Sequence, residues 1–252
     1  MCLVLVAWQQ HEQWPLIVAG NRDEFHARPT EGLHWWPDNP QVLAGRDLQA
    51  GGTWLAVGRN GRFATVTNHR DAVPPEPGLR SRGELVTGFI TSDMAPLDYA
   101  AELDRDDYAG FNLFVCDGQT LAYASNRDGE PRELAPGLYG VANAGLDAAW
   151  HKTVVSKERL RERLGSGKLK PNGLLKLLND RERAPESEVE ANGLDFALAH
   201  AVTAPFVVQP DYGTRSSTIV LFDRKGNVDV TERRFLSDGS LRGESHQGFQ
   251  SE

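Results

Sequence analysis

The first apolar run, CLVLVAW at residues 2–8, is continuous rather than alternating, which predicts a strand covered on both faces. The polar stretch QQHEQ separates it from WPLIVAGNRDE at residues 14–24, so the two read as a hairpin at the start of the domain. A second hairpin follows, with TWLAVG and RFATVTN flanking Arg59-Asn60-Gly61, and Asn-Gly is a strong short turn signal. VPPEPG at residues 73–78 reads as a surface loop, and SRGELVTGFITS after it has helical spacing. LDYAAELDRDDY predicts another helix, and FNLFVCDG, TLAYASN and LYGVAN predict three strands. WHKTVVSKERLRERLG is an amphipathic helix ended by Gly165, and its segment KERLRER reads as a solvated face of alternating charge. PNGLLKLLND and LDFALAHAV are shorter helices, and STIVLFD and VDVTERRF close the chain as a hairpin turned at Lys225-Gly226-Asn227.

Strands and helices come in blocks rather than in strict alternation, so the pattern predicts an α+β class with mainly antiparallel sheets. Strands apolar on both faces, together with several helices, suggest two sheets stacked between helical layers. No repeat or linker divides the chain, which reads as one domain over residues 1–236. The polar segment 237–252 reads as a mobile tail.

At 252 residues, with 40% hydrophobic and 25% charged residues, the chain has the composition of a soluble globular protein. The net charge of −8, with no basic stripe interleaved with aromatics, argues against nucleic acid or an anionic membrane as partner. Two cysteines, Cys2 and Cys116, are too few for a disulfide framework and form no zinc or haem-attachment motif, so neither metal nor cofactor is expected. No apolar stretch approaches the roughly 18 residues of a membrane helix, and nothing resembles a signal peptide. The expected location is the cytoplasm, where both thiols stay free.

Candidate chemistry begins at Cys2. With Met1 removed, its thiol and a free α-amine share one residue, and an α-amine titrating near about 7.7–8.0 can take the thiol's proton. The plainer reading is a small buried hydrophobe at a strand edge. GNRDEFHARPT crowds Asn21, Arg22, Asp23 and Glu24 at the end of an apolar strand, beside the strand that begins at Cys2. There an Arg–Asp pair would fix a thiolate and orient an amine, or form only a surface ion pair. Asn68 and Asn143 end two other apolar runs, either as oxyanion donors or as turn residues. Arg215 stands where a loop enters a strand, placed for a carboxylate or thiolate, or for a surface pair. GRDLQAGGTW lacks the Lys-Ser/Thr of a phosphate loop and reads as a tight loop near the site. Trp35, Trp36 and Trp54 are candidates to line an apolar substrate pocket, although such aromatics also serve as plain core.

Cys2 and the stretches NRDEF, LAGRD, GGTWL, GRFATVTN, GVANAGLD and YGTRSST resemble the NRDE family, also named after transport and Golgi organization protein 2. The resemblance runs from Cys2 to about Phe235. The order Cys, Arg/Asp, Asn, Asn, Arg is also similar to the N-terminal nucleophile hydrolases of the choloylglycine and penicillin V acylase type. That resemblance implies a four-layer αββα sandwich with Cys2 as nucleophile and Asp23 on the α-amine. It further implies Arg22 and Arg215 against the thiolate, with Asn68 and Asn143 at the oxyanion. One departure stands out: those acylases separate the Arg and Asp by two residues, whereas Arg22 and Asp23 are adjacent and on a regular strand face opposite ways. Either the pair is split in role, or Asn21 and Glu24 take over.

Two functions follow. One is an N-terminal cysteine amidohydrolase or acyltransferase forming a thioester on a small amphipathic amide or acyl compound. The other is a non-catalytic carrier of haem, acyl-CoA or a lipid-like metabolite in the same pocket, in keeping with the family's link to haem trafficking and acyl-lipid metabolism. The seven histidines, His11, His26, His34, His69, His151, His200 and His246, stand in no diagnostic haem motif. A plain structural or interaction protein fits less well with polar groups clustered at apolar strand ends. The sequence leaves oligomeric state open.

Overall fold

In the computed structural model, residues 2–70, 78–166, 169–191 and 193–252 are described. Strands and helices are numbered in chain order. One sheet has the order β10 (Gly137–Val141), β1 (Leu3–Trp8), β2 (Leu16–Phe25), β11 (Tyr212–Phe222), β12 (Asn227–Phe235), β13 (Leu241–Gln250). The other runs β3 (Thr30–Trp36), β4 (Asn39–Asp47), β5 (Leu55–Gly58), β6 (Phe63–Asn68), β7 (Phe111–Cys116), β8 (Leu121–Ser125), β9 (Arg132–Glu133). Every ladder in both sheets is antiparallel. The helices are α1 (Gly83–Ile90), α2 (Pro96–Glu102), α3 (His151–Gly165), α4 (Pro171–Leu178) and α5 (Phe196–Ala201).

Three apolar layers hold these elements, and β1 explains why its sequence does not alternate. Val4, Val6 and Trp8 enter the core between the sheets with Val18, Leu43, Val57 and Phe114. The intervening Leu3, Leu5 and Ala7 face outward with Ile17 against Leu160 of α3 and the leucines of α4. Each fully buried leucine there contributes about 1.5–3 kcal/mol. The second sheet packs its outer face, including Val42, Ala56 and Val66, on Leu85, Val86 and Phe89 of α1. The result is the αββα order of layers, an α+β sandwich as expected.

The Asn-Gly hairpin is present, with Gly61 at φ +75°, where a side chain would be strained. Except for Gly78, the loop expected at residues 73–78 lies outside the described residues. The segment expected as a mobile tail is instead ordered: β13 pairs with β12 along nearly its whole length, and Phe249 sits edge-on to Trp35 at 5.1 Å. Its residues alternate exposed and half-exposed, so no apolar face marks it in sequence. Among the described residues no helix is long and apolar enough to cross a membrane.

Candidate active site

Cys2 lies one residue beyond the Leu3–Asn21 pair of the β1–β2 ladder, at the end of the sheet where β2 carries its four polar residues. It is partly exposed and free of any disulfide. Adjacent residues of β2 point to opposite faces, and the structure splits Arg22 and Asp23 in this way.

Asp23 turns to the helical side and is 2% exposed. Its Oδ1 accepts a hydrogen bond from Thr214 Oγ1 at 2.7 Å, and its Oδ2 lies 3.7 Å from Lys152 Nζ in the first turn of α3. Burial pushes the Asp23 carboxyl up from its ordinary value, opposed by the charge of Lys152. Burial pushes Lys152 down, opposed chiefly by the charge of Asp23 and reinforced by Arg70. Two ionisable groups removed from water thus compensate each other only in part at this end of the sheet.

Arg22 turns to the other side. Its guanidinium lies 4.3 Å over the Trp54 ring and donates to Asp47 Oδ2 at 3.3 Å and Thr30 Oγ1 at 3.4 Å. Burial draws the Asp47 carboxyl up, but bonds from Arg28 and from the Ala50 N–H outweigh it and hold the group below its usual range. A bulge between Thr214 and Ser216 on β11 leaves Arg215 off the β2 ladder. Its Nη1 donates to the carbonyls of Phe25 and Arg28 at 2.8 and 3.1 Å, bracing the turn after β2. The bulge therefore lies on β11, and β2 itself stays regular.

The other two members of the motif take different work. Asn21 Nδ2 donates to the carbonyls of Leu178 and Pro205, both at 2.8 Å, and Oδ1 accepts from Ser217 Oγ at 2.6 Å. It ties α4 and the 205 loop to the sheet. Glu24 is half-buried, accepts from the Phe25 N–H and lies 3.9 Å from both Arg22 and Arg28.

Asn143 and Asn68 meet. Asn143, 1% exposed, donates from Nδ2 to the Asn68 carbonyl at 2.6 Å, and its own carbonyl accepts from the Arg70 N–H at 2.7 Å. The Asn143 Oδ1 is buried without a hydrogen-bond partner among the described residues. Asn68 is exposed and lines a cleft of about 390 Å³ with Arg22, Asp47, Trp54 and Arg82. A second cavity of about 440 Å³ opens on the helical side, lined by Arg70, Trp150, His151, Lys152, Ala199 and Val202 among others. Of the three tryptophans expected at a pocket, only Trp54 lines the cleft. Trp35 packs on Phe249 with Arg59 over its ring, and Trp36 belongs to the core beneath α1. The β3–β4 hairpin, with its register shift between Trp35 and Trp36, carries both away from the cleft.

Lys152 and Arg70 were not foreseen. Lys152, Thr153, Ser156 and Leu160 form the buried stripe of α3, and that stripe is polar where an amphipathic helix should present apolar residues. Three polar residues at that spacing were the available signal. Arg70 sits 5.0 Å over Trp150, and its charge is disfavoured by burial.

A family model described as Transport and Golgi organisation 2 matches residues 1–237. The chain is 36% identical over 272 residues to a Transport and Golgi organization protein 2 homolog of Bos taurus, covering 97% of each. In fold it is similar to the C2A mutant of conjugated bile acid hydrolase from Clostridium perfringens, with TM-score 0.54 and 8% identity over 99% of this chain and 97% of that one. It is also similar to a Caenorhabditis elegans N-acylethanolamine-hydrolyzing acid amidase ortholog, with TM-score 0.51 and 10% identity over 87% and 92%. The fold is that of the N-terminal nucleophile hydrolases.

Proposed function

The chain belongs to the Transport and Golgi organisation 2 family, and from that premise we propose that it is an N-terminal cysteine amidohydrolase or acyltransferase. Its substrate is a small amphipathic amide or acyl compound. The observation that carries this reading is the gathering of polar groups at the strand end that Cys2 adjoins: Arg22 next along the β1–β2 ladder, the buried Asp23–Lys152 pair on the helical face, and Asn143 bonded to Asn68. A merely structural strand end has no need of two desolvated charges.

The chemistry runs through a thioester. Sulfur attacks the acyl carbon, the carbonyl π pair moves to oxygen, and collapse expels the amine as it gains a proton. Water or an acceptor then releases the acyl group from sulfur. The amide protons of Asn68 and the second Nδ2 proton of Asn143, the first being held by the Asn68 carbonyl, stabilise the oxyanion, each such donor contributing about 2.7–4 kcal/mol in comparable sites. Asp23 orients the α-amine exposed by removal of Met1, a residue that lies outside the described set. Arg22 sets the positive side of the cleft and Trp54 offers an apolar face to the substrate, while Arg215 lines a small neighbouring pocket that Trp54 also borders. Two solved structures of similar fold are named as a conjugated bile acid hydrolase and an N-acylethanolamine-hydrolyzing acid amidase ortholog, which supports an amide of an amphipathic acid as substrate class.

The test is peptide-mapped alkylation with limiting iodoacetamide near neutral pH. Cys116 serves as internal reference, because burial pushes its thiol up to about 12 and leaves almost no thiolate. The reading expects Met1 absent and Cys2 labelled at least about tenfold ahead of Cys116. Met1 retained, or equal labelling, would overturn it.

A further inference from the structure

Strand register draws one row of residues across the first sheet. Cys2 lies one step beyond the Leu3–Asn21 pair, opposite Arg22. Arg22 pairs with Ser216 on β11, Ser216 with Arg234 on β12, and Arg234 with Gly243 on β13. Directly opposed residues share a face of the sheet, so this row lies on the side of Cys2, facing the second sheet. Beyond Arg22 the row enters a hollow of about 30 Å³ lined by Trp54, Arg215, Ser216, Glu232, Arg234 and Arg242 among others. Trp54 also borders the cleft of Arg22 and Asn68, and Arg234 and Arg242 also line an open groove of about 810 Å³.

The hollow holds donors in search of an acceptor. Ser216 is 4% exposed, and its Oγ has no hydrogen-bond partner among the described residues. Arg234 Nε is buried and equally without one, with Glu232 Oε1 at 3.8 Å. Its guanidinium fits because Gly32 faces it: a Cβ there would stand 2.4 Å from Nη1. Two further arginines arrive through β-bulges, Arg215 as the extra residue between Thr214 and Ser216, Arg242 as the extra residue between Leu241 and Gly243. A bulge re-aims the side chain it carries, and both arginines line the hollow. Burial, and after it the positive charges of Arg22 and Arg242, push the Arg215 guanidinium below its ordinary value, against Glu24. The carboxylates at hand offset little of this charge. Glu31 lies 3.5 Å from His34, and Glu232 is bound to the Leu33 N–H and pushed by burial toward its protonated form.

We propose that this hollow is a carboxylate subsite, in which Ser216 Oγ and the guanidiniums of Arg234 and Arg242 hold the far end of an acyl chain whose carbonyl lies at Cys2. Guanidinium forks match the two oxygens of a carboxylate, and the serine hydroxyl adds a third donor. A hollow of this size takes a carboxylate more readily than a bulkier phosphate. Three strand spacings of about 4.8 Å separate β1 from β12, so the two ends of the substrate stand roughly 14 Å apart. The acyl chain is the part that stays on sulfur, so a site in the same row holds it through turnover. Which end reacts rests on Cys2 being the nucleophile; the carboxylate site itself does not.

The experiment compares decanedioate, whose extended chain approaches that span, with decanoate, binding each to the full chain by calorimetry. Decanedioate is expected to bind about tenfold or more tightly, the usual weight of a hydrogen bond to a charged group. R242Q and S216A should each bring its affinity down toward that of decanoate while leaving decanoate unchanged. Arg242 is exposed, so R242Q decides alone if S216A fails to fold. Equal affinity for the two acids, or undiminished preference in R242Q, would overturn the proposal. So would inorganic phosphate binding that depends on Arg242 where decanedioate does not bind. A second arm acylates the protein with p-nitrophenyl esters ending in carboxylate or in methyl. Faster labelling of Cys2 by the carboxylate-ended ester, lost in R242Q, supports the ruler between the two ends. Decanedioate binding that needs Arg242, with no acylation of Cys2 by either ester, would sink the hydrolase reading and leave the carboxylate site standing.

Discussion

Asn21 and Asp23 stand two positions apart on β2, both turned to the helical side, yet their partners assign them opposite duties. Asn21 fills its bonding capacity with two carbonyls and a hydroxyl, all structural. Asp23 shares a desolvated space with Lys152. N21A strands buried acceptors and is expected to cost about 2–3 kcal/mol, read as a lower denaturation midpoint with an unchanged slope. D23N leaves Lys152 buried without a counter-charge and is expected to cost about 3–5 kcal/mol. Its Cys2 alkylation should slow as well, whereas N21A should alkylate as wild type. Comparable stability losses with no difference in alkylation would contradict the division. The polar cluster itself was legible in the sequence because four polar residues had no reason to end an apolar strand. Which of them faced the thiol was not, because facing depends on the register of β2 against β1 and β11, and that is a long-range fact.

At the level of elements, β3 shows how a local irregularity joins the two sheets. Its register with β4 shifts between Glu31 and His34, freeing the Leu33 N–H from the ladder, and Glu232 of β12 accepts it at 2.8 Å. Burial pushes the Glu232 carboxyl up, against the Leu33 N–H and the charge of Arg234. The folded state therefore holds this proton more tightly than the unfolded chain does, and stability declines as pH rises above the unfolded value of 4.5. E232Q keeps an acceptor and cannot ionise, so its melting temperature relative to wild type should climb between pH 4.5 and pH 7.5. A relative fall over that range would contradict the assignment. E232A, which leaves the Leu33 N–H without its partner, should lose about 1–3 kcal/mol. β1, β2, β7 and β12 are legible in the sequence as apolar-rich runs, whereas β3 and β4 are not legible as strands. Their register shifts break the period-two pattern on which such a reading depends.

The whole molecule is a stack of two sheets and two helical layers, and its layered class was legible because β1 and β7 are apolar on both faces. Its last strand was not. The hydrogen bonds of β13 come from β12, and its side chains add little apolar burial beyond Phe249 on Trp35. A chain ending at residue 240 should still fold, with a melting temperature lower by about 5 °C, roughly 2 kcal/mol for a domain of this size. It should also self-associate more readily, because the edge of β12 becomes exposed. No change in either property would mean that β13 is a passive addition. A thioester at Cys2 is tested most directly by intact-mass analysis after mixing the protein with an activated acyl ester and quenching in acid. The expected result is one acyl adduct mapped to Cys2, discharged at neutral pH and absent from C2A. Persistent binding of the ester's acyl group with no adduct on Cys2 would contradict it and make the same pocket that of a carrier.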